Sequence, residues 1–277
     1  MKILAIGDFH GKFPAKLKKL AREADVVLCT GDFGGSDKLL KIIFKHWRQD
    51  WWDVIGEEKT KKYIMEDYDS GIKMIDELDK VGTPVYTVAG NWDFDKTSLS
   101  KRTAMLKLKK IEKIIKKKKN ITFMHRKNKK IMGLNVYGFG GWAVPYIYMN
   151  KESDAGRERI EEYKKENAKL KKQLFKKPIK DLDIFLGHYA AYGYFDVVKS
   201  PYENPMNGKH VGFKLYTDYI KKYKPKLFIC GHMHEHQGKK KVGETLIVAT
   251  GAAKDGKCVV IDWDVEKGKV KSVEFVK

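Results

Sequence analysis

Residues 3–10 read Ile-Leu-Ala-Ile-Gly-Asp-Phe-His, which is a short apolar run, then a glycine, then side chains able to bind a metal. The same order recurs four more times along the chain. The five glycine–ligand pairs are Gly7-Asp8, Gly31-Asp32, Gly90-Asn91, Gly187-His188 and Gly231-His232. Short runs rich in Val, Ile and Phe that end at a glycine are typical of buried strands in a sheet covered on both faces. This pattern predicts an α/β fold.

The polar side chains after these glycines are expected to meet in one place. In open α/β sheets, ligands bind beyond the carboxyl ends of the strands, which is where all five pairs fall. Glycine allows a sharp turn and close backbone approach, so the next side chain can point into a shared site. Two segments add a second histidine, as Asp8-Phe-His10 and His232-Met-His234. The pattern therefore predicts a two-metal centre.

The bulk composition favours a single cytoplasmic domain over residues 1–277. Hydrophobic residues make up 42% of the chain, enough for a sizeable core, and no linker or internal repeat divides it. No apolar stretch is long enough to cross a bilayer, so we expect no membrane partner. Cleavage of a signal peptide would remove part of the strand that leads to Asp8. An odd number of cysteines, three, argues against a disulfide framework and for a reducing compartment.

The net charge of +21 raises nucleic acid as a partner, but the kind of basic residue argues against it. Only six of the 57 basic residues are arginine. Bidentate recognition of bases and phosphates favours arginine, whereas lysine is a flexible point charge. A lysine-coated surface is therefore the preferred interpretation. The sequence gives no expectation for the oligomeric state.

The order of elements suggests a layered sandwich. The first half alternates strands at 2–6, 25–29 and 84–89 with helices at 14–22, 36–47 and 71–80. Residues 46–70 are longer than a usual βαβ crossover, so they form an excursion that shapes the site or a helix extension packed on the sandwich. Late strands at 245–249, 257–263 and 270–275 suggest a second sheet that closes the sandwich.

Two charged stretches have helical periodicity. Apolar residues recur on one face of 101–119, whose opposite face is nearly all lysine, and we expect an amphipathic helix there. Its lysine face is interpreted as solvated, with an anionic-substrate or nucleic-acid surface as the alternative. A second charged helical segment lies within 151–178, with helix expected over 154–175. Its thin apolar stripe would pack on the body of the protein or on a second copy.

Taken in order, these motifs resemble the calcineurin-like metallophosphoesterase superfamily. The series runs from Asp8 to His234, over most of the chain, and its order, spacing and strand context all agree. The late segment, with His210-Val-Gly and then Lys224-Pro225 before His232, is similar to the small prokaryotic Icc-related branch. The resemblance implies a four-layer sandwich of two mixed β-sheets flanked by helices.

The resemblance also implies two sets of ligands that share one bridging carboxylate. Asp8, His10, Asp32 and His234 would hold one ion, and Asp32, Asn91, His188 and His232 the other. Donors that are all nitrogen or oxygen suit borderline ions, with manganese expected first and iron, zinc or nickel as alternatives. Two such ions clamp the attacking and leaving oxygens and supply hydroxide near neutral pH. Hydrolysis of a phosphoester by direct water attack is therefore predicted.

One residue departs from the family pattern. The third motif of the family usually reads Gly-Asn-His-Asp/Glu, and its histidine helps to protonate the leaving group. Here Trp92 follows Asn91, and an indole N–H cannot serve as a general acid at neutral pH. The candidates to replace that histidine are His210, His125 and His236. We prefer His210, so Asp32, Asn91 and His210 are the predicted catalytic residues.

The leading hypothesis is a metal-dependent hydrolase of a small phosphoester, with a diester preferred to a monoester. A diester with a good leaving group needs less help from an acid, which fits the missing imidazole at Trp92. A nuclease is the first alternative, favoured by the charge and by the lysine-rich stretch 101–119. A non-catalytic binding scaffold is the second, but scaffolds on this fold tend to have eroded ligand sets, and all seven ligands are present here.

Overall fold

The computed structural model describes residues 1–35, 37–46, 51–93, 106–145, 160–176, 179–200, 204 and 206–277. Within these ranges, twelve strands form two six-stranded sheets. The strands are β1 (Lys2–Ile6), β2 (Val26–Cys29), β3 (Val85–Thr87), β4 (Ile121–Phe123), β5 (Lys127–Ile131), β6 (Leu134–Phe139), β7 (Ile184–Gly187), β8 (Leu227–Cys230), β9 (Gln237–Val242), β10 (Thr245–Thr250), β11 (Cys258–Asp264) and β12 (Lys269–Val276). The helices are α1 (Ala15–Glu23), α2 (Asp37–Lys45), α3 (Trp51–Ile55), α4 (Glu57–Asp79), α5 (Ile111–Ile115), α6 (Ile160–Leu174) and α7 (Lys214–Tyr223).

Both sheets are mixed, and each has parallel strands at its centre. The first has the order β12-β11-β1-β2-β3-β4, with β1 to β4 parallel and β11 and β12 antiparallel to their neighbours. The second has the order β5-β6-β7-β8-β10-β9, with β6, β7, β8 and β10 parallel and the two edge strands antiparallel. Strands β2, β7 and β8 are buried throughout and β1 is buried from its second residue, which explains their continuous apolar sequences.

Three buried clusters define four layers. Alternate residues of β1 and β2, such as Ile3 and Leu28, pack against residues such as Ile184 and Ile229 of the second sheet. The other face of the first sheet packs on α1 and the C-terminal part of α4. The outer face of the second sheet packs on α6 and α7. Because successive side chains of a strand point to opposite faces, each sheet contributes to one cluster on each of its faces. The predicted four-layer sandwich is confirmed.

Several expectations about individual elements need correction. The excursion at 46–70 is mostly helical, because α3 and α4 continue the helix predicted at 71–80 toward the N-terminus, while 47–50 lie outside the described residues. The helix expected over 101–119 is wrong where the structure describes it: only Ile111–Ile115 is helical. Ile111 and Ile115 are buried, so two apolar contacts rather than a long amphipathic face hold this short helix in place. Residues 101–105 are outside the described ranges.

The late strands also divide differently from the prediction. Strands β9 and β10 complete the second sheet, but β11 and β12 return to the first sheet, where β11 pairs with β1. The lysine-rich β9 was missed because edge strands carry few apolar residues, and charges there discourage pairing with other chains. In the charged segment 151–178, α6 packs Tyr163, Leu170 and Leu174 on the body of the protein. Residues 151–159 and 177–178 lie outside the described residues. Among the described residues, no helix is both long and apolar enough to span a membrane.

Candidate metal centre

The seven predicted ligands come together from the ends of five strands, three in the first sheet and two in the second. In order, they are Asp8 and His10 after β1, Asp32 after β2, Asn91 after β3, His188 after β7, and His232 and His234 after β8. Two groups of three residues have ligand atoms that all lie within 4.8 Å of one another: Asp8, His10 and His234 in one, and Asp32, His188 and His232 in the other. The fold therefore assembles the predicted set from both sheets.

The first group is compact and buried. The Nε2 atoms of His10 and His234 are 2.9 Å apart, and His234 Nε2 is 3.5 Å from Asp8 Oδ1. Asp8 has no exposed surface and His10 is 8% exposed. The backbone N–H of His232 donates to both oxygens of Asp8, at 3.1 and 3.0 Å. The two groups are therefore joined through the backbone of the His232 loop.

In the second group, the side chain of Asn91 lies between two imidazoles. Its Oδ1 is 2.8 Å from both His188 Nε2 and His232 Nδ1. Asp32 Oδ2 is 3.4 Å from His188 Nε2 and 3.9 Å from His10 Nε2, so this carboxylate lies between the two groups. The other ring nitrogen of His188 bonds the carbonyl of Thr30 at 2.8 Å, which leaves Nε2 directed at the site.

The ligand residues themselves make the sharp turns at the strand ends. Asp8, Asp32 and His232 have φ values of 56°, 57° and 68°, in the left-handed region that non-glycine residues rarely adopt. Each such residue costs on the order of 1–3 kcal/mol, which the surrounding structure must offset. Backbone bonds do this at Asp8, whose N–H donates to the carbonyl of Gly31 at 2.8 Å. The sequence argument expected the glycine to adopt the unusual backbone conformation of the turn. In the structure, the residue that follows the glycine has a positive φ at Asp8, Asp32 and His232.

Two of the motif glycines are needed because a ligand carboxylate packs against them. A Cβ atom at Gly90 would lie 2.0 Å from Asp32 Oδ1, and one at Gly231 would lie 2.3 Å from Asp8 Oδ2. Both distances are far below van der Waals contact. The absence of a side chain therefore lets each carboxylate reach its position in the cluster.

Asp93 is a site residue that the sequence argument did not single out. It is 4% exposed, and its carboxylate accepts the N–H groups of Asp32, Phe33 and Gly90 at 2.8, 3.0 and 2.7 Å. These charge-assisted bonds tie the loop after β2 to the loop after β3. Asp93 thereby fixes the spacing of Asp32 and Asn91, and its place in the third motif was the available signal.

The electrostatics favour neutral imidazoles beside carboxylates. Burial, followed by the charge of His234, lowers the pKa of His10 to about 3. Burial also lowers the pKa of His188, and it lowers that of His232 well below its ordinary value. Although burial alone would raise the pKa of Asp8, the hydrogen bond and charge of His234 lower it to about 2. Burial, with the charges of Asp93 and Asp8, raises the pKa of Asp32 well above its usual range.

This cluster fits divalent metal ions. Metal ions bind neutral imidazoles and ionised carboxylates, and burial favours the neutral form of His10, His188 and His232. The raised pKa of Asp32 indicates that this buried carboxylate lacks compensating positive charge, which divalent ions would supply. The donors are all nitrogen or oxygen, with no thiolate among them.

Trp92, the departure from the family pattern, faces this centre. Its backbone N–H donates to Asp32 Oδ1 at 2.8 Å. Its ring centroid is 6.3 Å from that of His10, with the two planes at 85°. A Cβ at Gly35 would come within 2.6 Å of His10 Nδ1 and 3.0 Å of Trp92 Cδ2, so the indole and the imidazole flank the same glycine. Trp92 also lines an apolar cavity together with Ile72, Ile75, Ile111 and Ile114.

The three candidate replacement histidines have different surroundings. His125 lies between the rings of Phe123 and Phe139, with centroid distances of 5.8 and 6.0 Å. His236 Nε2 bonds the carbonyl of Val197 at 2.6 Å. The side chain of His210 is 47% exposed, and its Nδ1 is 2.6 Å from Asp196 Oδ1. The structure thus places His210 outside the ligand cluster, in contact with an aspartate that the sequence argument missed.

The chain is similar to several solved structures, and the one with a TM-score above 0.5 supports this fold. A crystal structure that is 22% identical superposes with a TM-score of 0.59, over 100% of this chain and 99% of that one. A Thermus thermophilus structure is 19% identical, with a TM-score of 0.49 over 99% of this chain and 97% of its own. A dimetal phosphatase from Danio rerio is 10% identical, with a TM-score of 0.44 over 100% and 96%. No curated protein sequence matches the chain.

The family model for metallophosphoesterases of the calcineurin superfamily matches residues 1–275. This match covers nearly the whole chain and includes every ligand of the cluster described above. The resemblance seen in the motifs is thereby confirmed. The chain belongs to the calcineurin superfamily of metallophosphoesterases and is a metal-dependent phosphoesterase.

Proposed function

We propose that this phosphoesterase hydrolyses a small phosphodiester in preference to a phosphomonoester, using two manganese ions. Asp8, His10 and His234 would hold one ion, and Asn91, His188 and His232 the other. Asp32 would bridge them, a role supported by its distances of 3.9 Å to His10 Nε2 and 3.4 Å to His188 Nε2. When bound, the ions would neutralise the phosphate charge and lower the pKa of a water to supply hydroxide.

The chain's own residues prepare this site in the absence of substrate. The carboxylate of Asp93 holds the loops that carry Asp32 and Asn91, so these side chains need little reorganisation when ions and substrate bind. The carbonyl of Thr30 fixes the ring of His188. The buried position of all three free cysteines supports a reducing compartment, and we propose the cytoplasm.

The position of Trp92 carries the proposed preference for diesters. An indole at the position of the family histidine gives a departing alkoxide no proton. Its flat face, beside the ring of His10, suits stacking with an aromatic or apolar ester group. A diester offers such a group beside a less highly charged phosphate.

A direct assay tests the preference. The protein is stripped of metal, reconstituted with manganese, nickel, zinc or iron, and given bis(4-nitrophenyl) phosphate beside 4-nitrophenyl phosphate. We expect hydrolysis of both, with a higher kcat/KM for the diester and the largest rate with manganese. Asp32→Ala is the control for contaminating phosphatases, because it removes the proposed bridge. An equal or higher kcat/KM for the monoester would overturn the proposed preference.

The nuclease alternative loses one of its two supports in the described part of the chain. The net charge of +21 still favours it, but in residues 106–119 the expected lysine-faced helix is reduced to α5, Ile111–Ile115. In the lysine run that follows, Lys118 forms a salt bridge with Asp76. The backbone N–H of Lys119 donates a hydrogen bond to the carboxylate of Asp79. A small phosphoester is therefore the preferred substrate class, and titration with duplex and single-stranded DNA at low salt checks this choice.

A further inference from the structure

Outside the ligand cluster, a second carboxylate–imidazole pair lies at the same edge of the second sheet. Asp196 is 1% exposed, and its Oδ1 is 2.6 Å from Nδ1 of His210. The histidine side chain is 47% exposed. One partner is thus fixed in the interior while the other reaches solvent. We call Asp196 and His210 the dyad.

The carboxylate of the dyad is held by the backbone. Its Oδ2 accepts the N–H groups of Gly193 and Gly212 at 3.0 and 3.1 Å. A Cβ at Gly212 would lie 2.7 Å from the same oxygen, so a side chain there would displace Asp196. With Oδ2 occupied, Oδ1 accepts the Nδ1–H of His210. This bond fixes the orientation of the ring and leaves Nε2 outside the contact with Asp196.

The loop that carries the dyad starts at the metal centre and, farther along, contacts the segment that follows His234. It begins at the ligand His188, and the ring of the next residue, Tyr189, lies 4.1 Å from the ring of His232. Farther along, the carbonyl of Val197 bonds His236, and the N–H of Lys199 donates to Glu235. His210 pairs with Val197 in an antiparallel bridge. The dyad therefore borders the segment that carries His232 and His234.

The other two candidate histidines have different surroundings from His210. His125 is packed between phenylalanine rings, and its Nδ1 accepts the N–H of Gly140 at 3.3 Å. His236 Nε2, the nitrogen farther from the backbone, bonds a carbonyl within the protein. His210 instead has Nδ1 fixed by a carboxylate and a half-exposed side chain. A proton donor to a bound substrate needs this combination of fixed orientation and access.

We propose that His210 is the proton donor to the leaving group and that Asp196 is its positioning residue, an inference that rests on the proposed function. Protonated His210 gives its Nε2 proton to the ester oxygen as the bond from phosphorus to that oxygen breaks. The bonding electron pair stays on this oxygen, which leaves as an alcohol, while hydroxide derived from water forms the new bond to phosphorus. His210 then regains its proton from solvent. The enzyme would thus accept diesters of poor, alkyl leaving groups despite Trp92.

The leaving group provides the decisive test, because an acid matters only when the departing oxygen needs a proton. The kcat/KM of the manganese enzyme is measured for methyl 4-nitrophenyl phosphate, with a good leaving group, and for bis-alkyl phosphates such as dimethyl phosphate. We expect His210→Ala and Asp196→Asn to lower the value by about 10²–10⁴-fold for alkyl diesters and less than about threefold for the nitrophenyl ester. His236→Ala, which loosens the same loop, should lower both values by one common factor.

A spectroscopic signature separates positioning from folding. Nitrogen-15 NMR of the imidazoles in the intact, metal-free protein should show Nδ1-protonated His210 in the wild type and a changed tautomer in Asp196→Asn. If both variants lower alkyl and nitrophenyl rates equally, or if the tautomer of His210 does not respond, the inference is overturned while the proposed function stands. If the wild type hydrolyses no diester with any metal, the proposed function itself fails.

Discussion

The metal centre and the dyad both place a carboxylate beside an imidazole, but the two regions differ in burial and in hydrogen bonding. Asp32 and His188 are fully buried, 3.4 Å apart, among other carboxylates and imidazoles. Asp196 has two backbone donors on one oxygen and a half-exposed imidazole on the other. In the first arrangement the pKa of Asp32 is raised by burial and by the neighbouring carboxylates, whereas in the second both oxygens of Asp196 have hydrogen-bond partners.

This difference teaches how to separate a metal ligand from a proton donor when both are aspartate and histidine. A ligand imidazole directs a ring nitrogen at other ligand atoms, as His10 and His234 do at 2.9 Å. His210, the proposed proton donor, directs one ring nitrogen at a single carboxylate, and its side chain is half exposed. Sequence alone does not distinguish them, because both regions present an Asp and a His near a glycine.

The largest expected effect comes from removing the carboxylate of each region in turn. Asp32→Ala should lose at least one metal ion and lower kcat by more than about 100-fold, because even outer partners of metal ligands are worth about 10–100-fold. Asp196→Asn should keep both ions. Metal content by mass spectrometry and kcat on a nitrophenyl diester measure the contrast. Two ions and full activity in Asp32→Ala would contradict the bridge, and Asp32→Asn should bind metal more weakly than wild type.

A second contrast uses the glycine that packs against each carboxylate. Gly90→Ala places a Cβ 2.0 Å from Asp32 Oδ1, and Gly212→Ala places one 2.7 Å from Asp196 Oδ2. Both should lower the free energy of unfolding by about 1–3 kcal/mol through overpacking. Only Gly90→Ala should also weaken manganese binding. Urea unfolding measures the free energy of unfolding, and calorimetric titration measures the affinity for manganese. Equal manganese affinity in both variants would contradict the claim that only Gly90 supports the metal centre.

The pH dependence of the metal-free protein sharpens the account of the buried histidines. The pKa of His10 is about 3 in the folded protein against 6.5 for an ordinary histidine. Between these values the unfolded chain binds more protons, so stability falls as the pH drops below about 6.5. One such group contributes a slope of up to about 1.4 kcal/mol per pH unit.

His10→Gln should therefore flatten this part of the stability profile. Denaturant unfolding of metal-free wild type and variant at pH 7, 6 and 5 provides the measurement. Asp32, with its raised pKa, acts in the opposite direction, because the folded state then binds the extra proton. The slope is thus compared between proteins rather than read alone. Identical slopes would show that His10 titrates normally in the fold.

The smallest expected effect concerns Trp92. Trp92→His restores an imidazole beside His10 and should raise kcat/KM on monoesters with poor leaving groups relative to activated diesters. A well-placed acid is worth about 10²–10⁴-fold, so even an imperfect one should give a measurable gain. The comparison requires a variant that still binds two ions. An unchanged monoester-to-diester ratio would count against Trp92 as the determinant of preference.

Prediction from the sequence was most accurate for the strands, where a continuous apolar pattern corresponds to burial on both faces of the sheet. The strands that end before Gly7, Gly31 and Gly231 are continuous apolar runs because both of their faces are covered. The ligands follow these strands, so most of the candidate site could be predicted. Their roles as ligands stay predictions, but their proximity is now observed.

The rest depended on contacts between distant segments. The helix expected over 101–119 had the right spacing of apolar residues, but within its described part only Ile111 and Ile115 are buried in the core. The lysines of β9 have no strand-like pattern, and their pairing with β10 alone makes them a strand. Asp196 was missed because its partners, Gly193, Gly212 and His210, become visible only when the loop is folded.

Anomalous diffraction from a crystal of the manganese-loaded protein tests the central claim most directly. The account predicts two manganese peaks in the cluster, one against Asp8, His10 and His234 and the other against Asn91, His188 and His232. Asp32 should contact both. A single peak, or peaks that do not share Asp32, would contradict a two-metal centre built from these seven side chains.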